Sequence, residues 1–134
     1  MRFSTRSQYG LRALAYLALN RQRPVSLKEI SQAENISFYY LEKILLKLRK
    51  SGFINSQKGA HGGYFLNGSP RKIKIGAVIE SLEGKMAVVK CIGGKFTCPQ
   101  AKKCLTRGLW QKIQKTVITS LDSFTLNDLI SDKQ

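Results

Sequence analysis

The stretch from Ser26 to Leu66 limits the possible folds more than any other part of the chain. Ser26-Leu27-Lys28-Glu29 reads as a capping box, in which the serine oxygen caps the Glu29 amide and the glutamate reaches back. That predicts a short helix ending near Glu34-Asn35. Ser37 is placed to cap a second helix, along which Leu41, Ile44, Leu45 and Leu48 recur at i, i+3, i+4 and i+7. Gly52 then ends it in a left-handed conformation. Two short helices separated by a few residues, the second amphipathic and basic, form a helix-turn-helix. Helical hairpins are common, so the specificity comes from the residues beyond Gly52. Phe53 to Gln57 and Tyr64 to Leu66 are strand-like and joined by Lys58-Gly59-Ala60-His61-Gly62-Gly63. A basic, glycine-rich tip between two strands, directly after such a helix, is a wing. Its glycines allow positive φ and close approach of backbone amides to phosphates.

The flanks complete a mainly α fold with a small β-wing. Leu11, Leu14, Ala15 and Ala18 give the segment from Ser4 to about Asn20 one inward face, and Arg21 to Pro24 is a polar break. After Pro70, the residues Ile73, Ile75, Val78, Ile79 and Leu82 describe a strand edge and a short helix ending at Gly84. Lys85 to Cys104 is loop-like and holds all three cysteines. Beyond it Leu105, Leu109, Ile113, Val117 and Leu121 recur every four positions beside Trp110 and Ile118. This predicts a helix of about four turns. It is too apolar to lie alone on a small domain and is expected to pair two copies; the alternative is a core helix of a monomer. Asp122 to Ile130, with Thr125 as cap and Asp128 in the first turn, reads as a closing helix. The expected division is a winged helix-turn-helix over 1–84, a cysteine loop over 85–104, and a dimerisation helix with its closing helix over 105–134.

Composition narrows the partners. The 23 Lys and Arg against 8 Asp and Glu give +15, which favours a polyanion through counterion release. Nucleic acid competes here with an anionic membrane surface or a ribosome. At 43% hydrophobic the chain has material for a core. The apolar run Leu11 to Leu19 is interrupted by Arg12 and has no signal-peptide cleavage site after it. No segment approaches the about 20 continuous apolar residues of a membrane span. A cytoplasmic protein with no membrane partner is expected. Three cysteines is an odd count, pointing away from a secreted disulfide framework and toward metal or redox chemistry. There is no nucleophile–His–acid set and no phosphate-binding glycine loop with its lysine, so no enzyme activity is expected.

On the second helix of the motif, Phe38, Tyr39, Glu42, Lys43, Lys47, Arg49 and Lys50 lie opposite the leucine stripe. The first turns of such a helix reach base edges, which selects Ser37, Tyr39, Tyr40 and Glu42 for reading, with Phe38 as a further DNA contact. Tyr40 could instead be buried. Glu42 can accept a hydrogen bond from cytosine. Lys43, Lys47, Lys50 and Lys58 suit phosphates, against the alternative of a solvated lysine face. His61, the single histidine, sits at the wing tip with Gly62, where a minor-groove or phosphate contact fits better than metal ligation.

Several stretches now carry a resemblance. Val25-Ser-Leu-Lys-Glu-Ile-Ser, Ile36-Ser-Phe-Tyr-Tyr-Leu-Glu-Lys-Ile-Leu, Leu48-Arg-Lys-Ser-Gly-Phe and Lys58-Gly-Ala-His-Gly-Gly-Tyr-Phe-Leu are similar to the bacterial winged-helix regulators typified by IscR, NsrR and CymR. So are Met1-Arg-Phe-Ser, Ile75-Gly-Ala-Val-Ile-Glu-Ser-Leu-Glu-Gly and Cys104-Leu-Thr-Arg-Gly-Leu-Trp. The resemblance spans essentially the whole chain. It implies a homodimeric transcriptional regulator that binds a double-stranded, palindromic DNA operator and dimerises through the long C-terminal helix.

The same resemblance implies an iron–sulfur cluster on Cys91, Cys98 and Cys104, which are separated by six and then five residues. Soft thiolates are the usual ligands of such clusters. Lys90, Lys95, Lys102 and Lys103 would offset the cluster's negative charge. The chain departs from the family's patterns at the fourth ligand. IscR-like members use a histidine three residues after the last cysteine, here Arg107; NsrR-like members use an aspartate from the first helix of the other subunit, at a position that here corresponds to Gln8. Cluster type, 2Fe–2S or 4Fe–4S, stays open. So do a three-thiolate zinc site, bare redox thiols, and control by a partner enzyme as in CymR-like members.

Overall fold

The computed structural model describes residues 2–92 and 98–131. Helix α1 (Thr5–Leu19) starts where Ser4 caps the Ser7 amide, and Asn20 closes it. Helix α2 (Leu27–Glu34) starts where Ser26 Oγ accepts from the Glu29 amide at 3.1 Å, as the capping box requires. The other half of that box is not made. The Glu29 carboxylate is taken instead by Arg23 and Tyr16. Asn35, with φ 54°, ends α2 in the left-handed region that asparagine tolerates.

Helix α3 (Phe38–Lys50) is the second helix of the motif. Ser37 stands at its N-cap without a side-chain cap. Only its carbonyl takes part, accepting from the Leu41 amide at 2.9 Å. The preceding turn is closed by Ser31, which accepts the Ile36 amide and donates to the Ile36 carbonyl, so Ser37 is not needed to hold it. At the other end Gly52 has φ 86°, and the Phe53 amide reaches back to the Leu48 carbonyl at 3.1 Å. That six-to-one bond is a Schellman closure.

Strands β1 (Ile54–Gln57) and β2 (Gly63–Leu66) form an antiparallel hairpin with Ile54 opposite Leu66 and Gln57 opposite Gly63. Val25 pairs with Tyr64 through two backbone bonds of 2.8 and 2.7 Å, fastening the wing to the start of the motif. Gly63 has φ 153°, and a Cβ there would lie 2.6 Å from the Val25 carbonyl oxygen. A 3-10 turn, Pro70–Lys72, leads to α4 (Ile75–Glu83), which Gly84 ends.

One apolar core joins α1, α3 and α4. Ala13, Leu14 and Leu17 meet Leu41, Ile44, Leu45 and Leu48, with Val78 and Leu82 closing the far side. α1 and α4 approach so closely at Gly10 that a Cβ would stand 2.5 Å from Leu82 Cδ1. The expected strand edge near Ile73 is a single bridge, Lys74 to Thr125. It brings α6 (Leu126–Ser131) back to the winged-helix core, where Leu126 is fully buried and contributes about 1.5–3 kcal/mol. Asp128 accepts from the Thr125 amide at 2.8 Å, so here the acid caps the threonine.

Helix α5 (Arg107–Ser123) differs from the rest: none of its residues is buried. It begins two residues after the expected Leu105, which lies outside it and is 99% exposed. Leu109 is 53% exposed, and Trp110, Ile113, Val117 and Leu121 are half-buried. α5 rests on α4 at Gly76, where a Cβ would stand 2.1 Å from Asp122 Oδ1. No helix among the described residues is long and apolar enough to cross a membrane.

Candidate functional site

The exposed end of α3 and the wing tip form one basic surface. Tyr39 is 78% exposed, and Phe38 packs edge-on against it with ring centroids 5.9 Å apart. Glu42, Lys43, Lys47, Lys50, Lys58 and His61 are all exposed. Arg49 donates to Ser56 Oγ at 3.0 Å and ties the end of α3 to the wing strand. Two residues expected to contact DNA make contacts within the chain. Tyr40 is half-buried, edge-on to Tyr9 at 5.8 Å, and its hydroxyl is 2.8 Å from Thr5 Oγ1. Gly62 donates its amide to the Gly59 carbonyl at 3.0 Å, so that donor closes the wing turn rather than facing a phosphate. A Cβ at Gly62 would lie 2.0 Å from the Gln57 carbonyl oxygen, and this explains the glycine there.

What holds α2 and α3 at their angle is a row of side chains on one face of α1. Thr5, Tyr9, Arg12 and Tyr16 are spaced four, three and four apart, which aligns them along a helix. Thr5 and Tyr9 hold Tyr40 of α3. Arg12 lies over the Tyr9 ring at 5.5 Å, pairs with the Glu34 carboxylate at 3.3 Å and donates to the Glu34 carbonyl at the end of α2. Tyr16 donates to Glu29 Oε2 at 2.6 Å, and Arg23 holds both carboxylate oxygens at 2.9 and 2.8 Å. The Arg23 guanidinium, helped by the Tyr16 hydroxyl, holds the Glu29 carboxyl down to about 2. The same bond to Glu29 raises the Tyr16 phenol. Sequence reasoning missed this row because it sought only the apolar stripe of α1. Its trace was the i, i+4, i+7, i+11 spacing of polar and aromatic residues.

The second part of the site is the cysteine loop between α4 and α5. Cys91, Cys98 and Cys104 are free thiols, each half-buried. Residues 93–97, with Lys95, lie outside the described residues. Cys104 Sγ stands 3.3 Å from Thr106 Oγ1, and that hydroxyl lowers the thiol from its ordinary value. The loop's first arm lies along α5: the Val88 amide donates to Gln114 Oε1 at 3.1 Å, and Ile92 is buried beside it. Among the described residues no three His, Cys, Asp or Glu side chains are gathered closely enough to hold a metal. Three unpaired thiols on one loop suit a soft metal centre by donor type. The candidate fourth positions do not add to them. Arg107 donates to the Cys91 carbonyl at 3.2 Å, and a guanidinium cannot ligate. Gln8 is exposed and donates to the Phe3 carbonyl at 3.1 Å.

Comparison with known proteins agrees with this architecture. Residues 3–132 match the family model described as Rrf2, iron-dependent transcriptional regulator. The protein rrf2 of Nitratidesulfovibrio vulgaris is 43% identical over 133 residues, covering 98% of this chain and 89% of the relative. The solved structure of CymR, the global cysteine regulator of B. subtilis, superposes with a TM-score of 0.82 at 39% identity, covering 98% of this chain and 97% of that one. IscR of T. potens gives 0.81 at 37% identity, over 100% and 89%. With a winged helix-turn-helix, an exposed basic face and relatives named as regulators, the chain belongs to the Rrf2 family of DNA-binding transcriptional regulators.

Proposed function

We propose that this regulator binds a palindromic operator as a homodimer and that an iron–sulfur cluster on Cys91, Cys98 and Cys104 controls its binding. The observation that carries this reading is the position of the three free thiols. They occupy one loop docked on α5, the helix whose apolar row is only half-covered in the single chain. A cluster held there would supply a centre that oxygen, nitric oxide or iron shortage can change. The chain's own residues do the rest. The cysteines grip, the arm from Val88 to Ile92 ties the loop to α5, and α5 meets α4 at Gly76 and Asp122. A shift of α5 would change the spacing of two α3 helices across successive major grooves, about 34 Å apart.

On DNA, Ser37, Phe38, Tyr39 and Glu42 face the base edges. Lys43, Lys47, Lys50 and Lys58 take phosphates, and His61 reaches from the wing tip. Tyr40 acts through its hold on α1. A second reading, a cluster-free regulator controlled by thiol oxidation, zinc or a partner enzyme, draws on the lowered Cys104 thiol and the likeness to CymR. An anaerobic absorption spectrum, taken before and after air exposure together with iron and sulfide analysis, separates the two. Bleaching visible bands with stoichiometric iron and sulfide are expected. A colourless protein carrying zinc or no metal overturns the cluster.

A further inference from the structure

Arg107 stands where IscR-like relatives are expected to carry a ligand, yet its side chain has a different occupation. It is the first residue of α5, and its Nη1 donates to the Cys91 carbonyl at 3.2 Å, sixteen residues back along the chain. Gln114 lies two helical turns further along the same face of α5 and holds the Val88 amide at 3.1 Å. Next to Cys91, Ile92 is buried and shares a shallow groove with Gln111, Gln114 and Ile118 of α5. The incoming arm of the loop is therefore fixed at two points on one helix face. The far arm is fixed as well, since Cys104 lies three residues before Arg107 with its Sγ 3.3 Å from Thr106 Oγ1.

We propose that Arg107 is a positioning residue: its guanidinium latches the Cys91 carbonyl to the first turn of α5, so that Cys91 and Cys104 are held as neighbours before any metal arrives. The latch is a charge-assisted hydrogen bond from a guanidinium to a backbone carbonyl, stronger than one between neutral groups. The Thr106 and Arg107 amides at the start of α5 turn to the Cys104 sulfur, while the Arg107 side chain reaches the Cys91 carbonyl, so both cysteines are tied to the same helix end. Holding two ligands in place removes part of the ordering cost that three cysteines on a loose loop would face on binding. The inference rests on reading the three cysteines as one ligand set, and the latch itself can be tested without metal.

The test uses the full-length, metal-free chain with Cys98→Ser, which leaves Cys91 and Cys104 as its two thiols. Dibromobimane becomes fluorescent on bridging two thiols, so the bridging rate reports their proximity. Arg107→Ala is expected to slow bridging about tenfold, the loss expected of a charge-assisted hydrogen bond. Circular dichroism should keep its helical signal. Arg107→Met keeps the apolar stem and removes the donors; it should show the same slowing and decides the matter if the alanine variant loses structure. Bridging at the parent rate in a folded variant, or no bridging in the parent, overturns the latch. Neither outcome depends on iron, so a failed latch and a failed cluster are separate results.

Discussion

The winged-helix half and the loop–α5 half of this chain are held together in different ways. In the first, Leu14, Leu41, Leu45 and Leu48 are wholly buried, and three polar contacts along α1 fix the attitude of α2 and α3. In the second, no residue of α5 is buried, and the described part of the loop is tied to α5 by the buried Ile92 and by hydrogen bonds to Gln114, Arg107 and Thr106. Regions with few buried apolar contacts open at low free-energy cost, and switching elements are drawn from them. On the proposed function, the contrast would give rigidity to the helices that present the DNA face and responsiveness to the loop. The largest expected effect lies in the core itself. Leu45→Ala should cost about 2–5 kcal/mol of unfolding free energy in urea melts. Leu109→Ala, at low protein concentration, should stay within about 0.5 kcal/mol. Equal losses would erase the contrast. If α5 pairs two copies, the second variant should still weaken association in sedimentation equilibrium.

The next effect belongs to the rigid half. Glu42→Ala should change base preference at one position per half-site by about 1–3 kcal/mol, read by competition binding against a set of operator variants. Stability should be unchanged, because Glu42 is exposed. An unchanged preference would mean that α3 enters the groove in another register.

These two halves were not equally legible in the sequence. The apolar periods of α1 and α3, the capping serine of α2, Gly52 and the glycine wing are local signals, and each sits where its spacing requires. Ser37 and the reach-back of Glu29 failed because tertiary partners outcompeted the local cap: Ser31 closed one turn, and Arg23 with Tyr16 took the carboxylate. Tyr40 could not be assigned from its position alone, since one helical turn can face DNA or α1 depending on Tyr9 and Thr5. The return of α6 to the core is a long-range pairing, Lys74 with Thr125, that no short-range pattern encodes. In the loop the sequence offered cysteine spacing and little else. The roles of Gln114 and Arg107 emerge only when the arm is laid along α5.

The Glu29 cluster gives a smaller, pH-dependent effect in the rigid half. Its carboxyl is held down to about 2 from an ordinary 4.5, chiefly by Arg23. A depressed carboxylate contributes stability that is present above the unfolded value and lost as pH falls through the folded one. The loss should therefore run from about pH 4.5 down to about 2. The cluster is partly open to water, so screening reduces its worth to about 1 kcal/mol or less. Glu29→Gln should flatten that part of the stability–pH profile while leaving the rest of it in place. An unaltered acid limb would remove Glu29 from the account of how α2 is held.

The smallest effect probes the loop, where one contact stands in place of many. Cys104 owes its lowered thiol first to the Thr106 hydroxyl, then to the Thr106 amide and only after these to the neighbouring Arg107. Thr106→Val keeps the side-chain shape and removes the oxygen, so the thiol should move back up toward its ordinary value. In the metal-free protein with Cys91→Ser and Cys98→Ser, the midpoint of the iodoacetamide alkylation profile should rise, and alkylation at neutral pH should slow, because the thiolate is the nucleophile. Urea melts should not move, since residue 106 is exposed at a helix start with no side-chain cap to lose. A change in reactivity without a change in stability is what a region held by single contacts must give. A stability loss comparable to that of Leu45→Ala would mean that the loop is as deeply locked as the core, and the division of labour between the two halves would fail.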